Sequence, residues 1–217
     1  PNDMLDIMVK RLRLGSYDNV LPGARYHNSK DFMDFPNLGP RSLENKPIGP
    51  LMVPRIDRSA NIFAAIAERD VLLNYPYHSF RYTEQLLGAA AIDPAVRAIQ
   101  VTLYRVARHS HIGNSLICAA LNGKEVFAIV ELRARFDEAA NIDWAKRLTE
   151  AGVHVVFGIP GLKVHSKLIL ISRQEGTQLR RYAHIGTGNF NEKTARIYTD
   201  LALFTANQEI AEDVRHV

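Results

Sequence analysis

The residues best suited to chemistry stand in two short segments of the chain, 161–167 and 185–189. In the first, His165 and Lys167 are two positions apart, so in an extended chain their side chains point to the same face. In the second, Gly-Thr-Gly-Asn lets the backbone approach a ligand closely and offers the Thr187 hydroxyl and the Asn189 amide as ligand-binding groups. Imidazole is a nucleophile at neutral pH, and a lysine neutralises phosphate charge. The two segments together predict phosphoryl chemistry.

The charge of the chain is concentrated in the same region. The 217 residues carry 27 Lys and Arg against 23 Asp and Glu, a formal net charge of +4. Residues 161–200 alone hold seven basic and three acidic residues, so the remaining 177 residues sum to zero. A local positive field favours an anionic ligand near that segment, and the alternative is a solvated basic face.

The elements that must position these segments follow an alternating pattern. Apolar, β-branched runs predict strands, and amphipathic runs between them predict helices that begin near Ser79, Ser115 and Asn141. The predicted strands are 70–75, 98–104, 125–132 and 153–157, followed by 168–171, 181–185 and 201–204. The first two of the last three strands have no helix between them, which indicates an antiparallel edge. We therefore predict an α/β fold, a mostly parallel mixed sheet flanked by helices.

The first fifty residues differ from the rest. Pro, Gly and Asn interrupt them every few positions, and only a short helix starting near Asp3 is predicted. An irregular stretch of this length is uncommon inside a compact domain, so we expect its packing partners to lie outside this chain. The chain begins with Pro1, and a helix pattern from Glu209 stops part-way. We interpret the chain as a fragment, with an irregular region in 1–58 and one α/β domain in 59–217.

Composition excludes several classes of protein. A single cysteine, Cys118, rules out an internal disulfide and the multi-cysteine zinc sites. No apolar run approaches the roughly 18 residues of a membrane-spanning helix, and the N-terminus lacks the pattern of a signal peptide. We expect a cytoplasmic protein with no stable insertion in a membrane.

The chemistry-bearing segments resemble half of a phospholipase D-type active site. That superfamily attacks phosphorus with the histidine of a His-x-Lys pattern, which precedes a Gly-[Ser/Thr]-x-Asn loop. The aspartate that usually follows the lysine in phospholipases is missing here, since Ser172 and Arg173 occupy that neighbourhood. This departure argues against a phosphodiesterase.

Longer motifs resemble the bacterial polyphosphate kinases of the histidine-phosphorylating type. They lie in the family's order at 22–27, 69–70, 75–79, 102–105, 130–137, 161–167, 184–191 and 194–200. In that family a helical domain and a head domain precede two phospholipase D-like domains. The resemblance implies that residues 1–58 are the end of the head domain with a linker. It also implies that 59–217 are the first catalytic domain, truncated at its C-terminus, and that the second is absent.

The resemblance also implies a reaction and roles for individual residues. The γ-phosphate of ATP would be transferred reversibly to polyphosphate, with Mg²⁺ as cofactor, through a phosphohistidine at His165 beside Lys167. Arg105 and Arg135 match positions of the Mg²⁺–phosphate site, and Tyr198 matches a nucleotide-contacting position. Because arginine has only donors, we expect both arginines to hold phosphates near the metal rather than to ligate it.

The implied partners are ATP or ADP and inorganic polyphosphate, in a full-length protein that forms a homo-oligomer and binds no nucleic acid. Peripheral membrane association of that protein stays open. We expect the chain by itself to be inactive, because half of the active site would be missing. The alternatives are a phospholipase D-like phosphodiesterase or nuclease, and a non-catalytic module that binds polyanions. Binding by such a module would fall steeply with salt and survive His165→Ala.

Expectations also follow for a few further side chains. His184 lies near the Gly-rich loop and could either support the site or pack in the core. His154, inside an apolar strand, and Trp144 are expected to be core residues. Glu131 and Glu192 are candidates to hold the tautomer of the nucleophilic histidine.

Overall fold

The computed structural model describes residues 2–18, 20, 32, 35–46, 48–132, 138–158 and 161–217. The chain divides into two units, Pro1–Pro47 and Ile48–Val217. The first contains helix α1 (Asn2–Leu12), which starts where the sequence predicts, and a short 3₁₀ turn, Arg41–Leu43. In the described residues, no helix has both the length and the apolar content of a membrane span.

The second unit alternates strands and helices in its first two-thirds. Its helices are α2 (Pro54–Asp57), α3 (Ile62–Glu68), α4 (Arg81–Ile92), α5 (His111–Leu121), α6 (Glu138–Glu150) and α7 (Gln208–His216), with a 3₁₀ turn at Thr194–Arg196. Its strands are β1 (Val71–Tyr75), β2 (Val96–Leu103), β3 (Glu125–Val130), β4 (His154–Val156), β5 (Lys167–Glu175), β6 (Gln178–Gly186) and β7 (Asp200–Thr205). Each predicted strand is present.

The seven strands form one mixed sheet in the order β1-β7-β6-β5-β2-β3-β4. Only β2–β3 and β3–β4 are parallel pairs, whereas β2–β5, β5–β6, β6–β7 and β7–β1 are antiparallel. The α/β class is confirmed, but the expected predominance of parallel pairing is wrong. Five strands nevertheless share one direction, and β5 and β7 oppose them. The carboxyl ends of those five strands and the amino ends of β5 and β7 therefore meet at one edge of the sheet.

Helices cover both faces of this sheet. Side chains of α3 to α6 join the main core with residues such as Ile169 and Ile171 of β5. Leu170, between them, packs with Ala183 and with Ala211 of α7 in a separate cluster. Because successive strand residues point to opposite faces, α7 lies on the face opposite α3 to α6.

Two helices begin earlier than their sequence pattern indicates. Helix α5 starts at His111, where Ser110 caps it by accepting from the Gly113 amide at 3.4 Å. The carboxylate of Glu192 also reaches this end and accepts from the His111 amide at 2.7 Å. Helix α6 begins at Glu138, so Asn141 lies inside it instead of capping it. At α5 the carboxylate of Glu192, far away in sequence, adds to the local cap by Ser110.

Helices α5 and α6 touch through a glycine. A Cβ added at Gly113 would lie 2.4 Å from Cζ3 of Trp144. The Trp144 side chain is fully buried, and its Nε1 donates to the carbonyl of Ala107 at 2.8 Å. The expectation that Trp144 packs in the core is confirmed, and Gly113 is required for this close approach.

Candidate functional site

The two segments singled out by their chemistry leave the sheet side by side at the common edge. Lys167, the first residue of β5, pairs with Gly186, the last residue of β6. Gly186 in turn pairs with Ala202 near the start of β7. The loop that carries His165 and the Gly-rich loop after β6 therefore project from adjacent strands.

His165 and Lys167 share a neighbour, Tyr104, just beyond the end of β2. The rings of His165 and Tyr104 meet edge to face with centroids 5.2 Å apart, and Lys167 Nζ lies 5.5 Å from the Tyr104 ring centroid. Lys167 Nζ also donates to the backbone carbonyl of His165. This common contact agrees with the side-chain directions predicted from their spacing. His165 is exposed, and its imidazole makes no hydrogen bond within the described residues.

Lys167 is buried, which is unusual for an ammonium group. Only 5% of the residue is exposed, and burial lowers its pKa, while the nearby charge of Asp200 acts in the opposite direction. A cation held in such a place by the fold is weakly hydrated and ready to interact with an anion.

Side chains of neighbouring elements hold the backbone around His165. The Thr102 hydroxyl donates to the Ser166 carbonyl at 2.7 Å and accepts from the Leu168 amide at 3.0 Å. The buried carboxylate of Glu131 accepts from the Val164 amide at 3.1 Å. Glu131 therefore acts on the backbone one residue before the histidine. The sequence motifs include Thr102, but nothing local in the sequence assigns it this role.

Asn141 ties together the ends of β2 and β3. Its side chain is fully buried, and Nδ2 donates to the carbonyls of Tyr104 at 2.6 Å and Glu131 at 2.8 Å. Tyr104 contacts the ring of His165, and Glu131 binds the backbone amide of the residue before it. Helix α6 thus fixes both supports of the His165 loop.

The Gly-rich loop is held by an acid of β7. The Thr187 hydroxyl donates to Asp200 Oδ1 at 2.8 Å and accepts from the Leu201 amide at 3.0 Å, so its proton is committed within the loop. A Cβ at Gly188 would lie 2.4 Å from Asp200 Oδ2, which explains the glycine. Asn189 Oδ1 is buried and accepts no hydrogen bond from the described residues.

His184 lies behind this loop in the core. It is 2% exposed, its ring contacts Phe190 and Phe204, and its Nε2 is 3.2 Å from the Thr83 hydroxyl. That hydroxyl is also 2.7 Å from the Tyr75 hydroxyl. Burial lowers the pKa of His184 to about 4, so the ring is neutral at pH 7.

The structure places the remaining candidates as follows. Arg105 follows β2 with its guanidinium carbon 5.7 Å from the Tyr104 ring centroid. Tyr198 is exposed between the 194–196 turn and β7. Arg135 lies outside the described residues. Glu192 caps α5 as described, and His154 is exposed and stacked on Phe127, so its assignment to the core is wrong.

Apart from Lys167, the basic residues of 161–200 divide into two groups. Three are tied into ion pairs on the β5–β6 hairpin: Arg173 with Asp93 and Glu175, Arg180 with Glu175, and Arg181 with Glu212. Three others, Lys163, Lys193 and Arg196, are exposed in the segments around the site. Of the exposed group, Lys163 lies in the loop that carries His165 and adds its positive charge there to that of Lys167.

A cleft of about 410 Å³ opens beside the 194–196 turn. Its lining includes Arg81 and Arg196 but also Glu84 and Glu192. Burial, together with the charge of Glu192, raises the pKa of Glu84. The mixed charge of this lining does not favour a polyanion, in contrast to the surface around His165.

Comparison with known proteins identifies the family. The family described as polyphosphate kinase C-terminal domain 1 matches residues 61–217, most of the chain. The chain belongs to the polyphosphate kinase family. Polyphosphate kinases of Vibrio parahaemolyticus and Escherichia coli K12 are 58% and 56% identical to it over its whole length. The chain spans 31% and 32% of those two relatives.

Solved structures agree with this assignment. The crystal structure of polyphosphate kinase from Porphyromonas gingivalis superposes on 96% of this chain, and on 34% of its own, with a TM-score of 0.76 and 39% identity. Nuc of Salmonella typhimurium, a phospholipase D family member, matches 68% of this chain and 90% of its own with a TM-score of 0.53. At 19% identity, Nuc shows the fold alone. The resemblance to polyphosphate kinases and the phospholipase D-like fold are both confirmed.

Proposed function

We propose that this chain carries the nucleophilic half of a polyphosphate kinase active site, with His165 as the phosphorylated residue. The observation that supports this most strongly is the environment of His165. Its imidazole is exposed and makes no hydrogen bond within the described residues, while its backbone and ring are held by Glu131, Lys167 and Tyr104. A nucleophile needs this combination of fixed position and accessible lone pair.

The reaction divides into two phosphoryl transfers. An unprotonated imidazole nitrogen of His165 attacks the γ-phosphorus of ATP, a P–N bond forms, and the bond to the bridging oxygen breaks so that ADP leaves with its electron pair. A terminal phosphate oxygen of polyphosphate then attacks the same phosphorus, and the P–N bond breaks to restore the imidazole. Each step is reversible. Because phosphoryl transfer needs little covalent help, positioning and charge neutralisation supply the rate.

The cations near His165 are suited to that neutralisation. Lys167 is buried beside the histidine, and both its Nζ and the guanidinium carbon of Arg105 lie within 6 Å of the Tyr104 ring centroid, at 5.5 and 5.7 Å. We propose that Arg105 and Arg135 bind phosphate oxygens in bidentate fashion and that Tyr198 contacts the nucleotide. We also propose that the loop of Thr187 and Asn189 binds phosphate. Both donors of Thr187 are already used, the hydroxyl by Asp200 Oδ1 and the backbone amide by the Leu201 carbonyl, so within this loop the side-chain amide of Asn189 is the better candidate for the contact.

The donor set fits a Mg²⁺ ion that arrives with the nucleotide. No group of three or more His, Cys, Asp or Glu side chains suited to a metal is present in the described parts of the chain. Mg²⁺ commonly takes only one or two protein oxygens and is otherwise held by phosphates and water. We propose Asn189 Oδ1, which accepts no hydrogen bond from the described residues, as the protein oxygen that would hold the ion. When bound, the ion would neutralise phosphate charge.

The phosphodiesterase alternative is weaker. The phospholipase aspartate is replaced in the neighbourhood of Ser172 and Arg173. Arg173 is held by Asp93 and Glu175 at 2.9 Å each, on the hairpin side of β5 away from its amino end. These contacts supply no substitute for the missing acid.

The remaining expectations concern the full-length enzyme. We propose that its substrates are ATP or ADP and polyphosphate, that it is a cytoplasmic homo-oligomer, and that it binds no nucleic acid. A second catalytic domain outside this chain would complete the site. The chain alone would therefore show no steady ATP-dependent synthesis of polyphosphate.

Autophosphorylation of the full-length enzyme tests the nucleophile. The wild type, His165→Ala and His154→Gln are incubated with γ-labelled ATP and Mg²⁺, and acid-labile, alkali-stable label on protein is measured. His154 is the matched control because it is exposed at the amino end of β4, opposite the site edge. We expect label in the wild type and the control and none in His165→Ala. Label that persists in His165→Ala would contradict the assignment, and phosphodiester cleavage without label would favour the phospholipase-like alternative.

A further inference from the structure

Next to the site, the backbone pairing of β2 with β5 ends and is continued by hydrogen bonds from a side chain. The backbone register between these strands ends at Val101 and Ile169. At the next residue of β2, the Thr102 hydroxyl replaces the backbone in this pairing: it donates to the Ser166 carbonyl and accepts from the Leu168 amide. One hydroxyl therefore fixes the peptide groups on both sides of Lys167.

We propose that Thr102 is a positioning residue for phosphoryl transfer, which sets the location of His165 and Lys167 without touching the substrate. This inference rests on the proposed role of His165 as nucleophile. The Thr102 hydroxyl donates its proton to the Ser166 carbonyl and accepts from the Leu168 amide, so it acts on the backbone and has no proton left to donate to a ligand.

The geometry explains why this hydroxyl has such influence. His165 lies between two anchored peptide groups, the Val164 amide bound by Glu131 and the Ser166 carbonyl bound by Thr102. The Thr102 hydrogen bonds also fix the turn into β5, which determines where the buried Lys167 ammonium lies. Loss of the hydroxyl removes the anchor that follows His165 and leaves the Leu168 amide without its acceptor. The histidine would then sample positions away from in-line attack.

The size of the effect follows from the sensitivity of phosphoryl transfer to alignment. A displacement of about 1 Å at a reacting group costs roughly 100-fold in rate. We therefore expect Thr102→Val, which keeps the shape of the side chain and removes the hydroxyl, to slow phosphoenzyme formation by about 10- to 100-fold. The KM for ATP should change by less than about 2-fold, because Thr102 is not a ligand contact. Thr102→Ser, which keeps the hydroxyl, should recover most of the rate.

A second threonine provides a matched control. The Thr149 hydroxyl donates to the Ala145 carbonyl at 2.8 Å within α6. Thr149→Val therefore loses a hydroxyl-to-backbone bond of similar length, 2.8 Å against 2.7 Å for Thr102, elsewhere in the same unit. It should leave the rate of phosphoenzyme formation unchanged.

The experiment compares the single-turnover rates and ATP dependence of these variants in the full-length enzyme, with His165→Ala alongside. Thr102→Ala serves as a second variant without the hydroxyl in case the valine variant does not fold. A slow Thr102→Val or Thr102→Ala with rapid Thr102→Ser and Thr149→Val supports the proposal. It is overturned if the variants without the hydroxyl match Thr149→Val, or if Thr102→Ser is as slow as they are. Label that persists in His165→Ala would instead remove the proposed function itself.

Discussion

Replacing Gly113 with alanine should destabilise the protein, although alanine is the better helix former. The added methyl carbon would lie 2.4, 2.6 and 2.7 Å from three carbons of the Trp144 ring, whereas carbon atoms in contact prefer about 3.5–4.0 Å. Overpacking of this kind costs about 1–3 kcal/mol. A shift of the indole also weakens the hydrogen bond to Ala107, worth about 1 kcal/mol. In the opposite direction, replacing a glycine inside a helix with alanine raises the free energy of unfolding by about 0.5–1 kcal/mol.

The net change is a loss of about 1–3 kcal/mol of unfolding free energy, or roughly 4–8 °C in Tm for a loss of about 2 kcal/mol. Gly88 in α4 is the control, because a Cβ there would meet nothing within 4 Å. Gly88→Ala should therefore gain about 0.5–1 kcal/mol. Urea and thermal unfolding of both variants would measure the change in unfolding free energy, which should be negative for Gly113→Ala and positive for Gly88→Ala. Equal stabilisation by both alanines would refute the argument that Gly113 exists to admit Trp144.

Two further predictions concern His184 and Lys167. Burial lowers the pKa of His184 from an ordinary 6.5 to about 4. Between these two pH values the unfolded chain binds a proton that the folded chain does not. The free energy of unfolding should therefore fall as the pH drops from 6.5 to 4. Urea unfolding should show a decrease in the free energy of unfolding on the order of 3 kcal/mol over this pH range. The decrease should be smaller in His184→Gln and unchanged in His154→Gln. A wild type that is equally stable at pH 7 and pH 4.5 would contradict the prediction. Lys167→Met, which removes the buried charge beside His165, should slow phosphoenzyme formation by about 100- to 1,000-fold in single-turnover assays of the full-length enzyme. An unchanged rate would show that this ammonium does not act on the phosphate.

The sequence predicts the elements of this fold better than their arrangement. The periodicity of apolar residues and the β-branched residue types locate every strand, because both signals lie within the strand's own sequence. The pairing of β1 with β7 across the sheet, with Val71 opposite Phe204, depends on contacts between residues far apart in the chain. For the same reason helix α5 starts earlier than its local pattern predicts, because Glu192, which accepts from the His111 amide, is 81 residues away in the chain.

The candidate site divides in a similar way. The proximity of His165 and Lys167 is predictable, because residues two apart in an extended segment point to the same face, and both contact Tyr104. The role of Asn141 is not, because an asparagine near a helix start is ordinarily a cap, whereas here its amide satisfies the carbonyls of Tyr104 and Glu131 on two other elements. Residues that hold a site in place act through tertiary contacts, and local sequence gives little sign of them.

The pairing of the first strand with the last has a consequence for synthesis of the protein on the ribosome. Strands β2, β3 and β4 can pair as soon as residues 96–156 have emerged, but β1 must wait for Asp200–Thr205. Until then both edges of β1 are unpaired, and His184 lacks its ring contact with Phe204. Closure of so long a loop is entropically slow, so the nascent domain exposes an unpaired strand during most of its translation. Protection of β1 during that interval is therefore a requirement that this topology places on the cell.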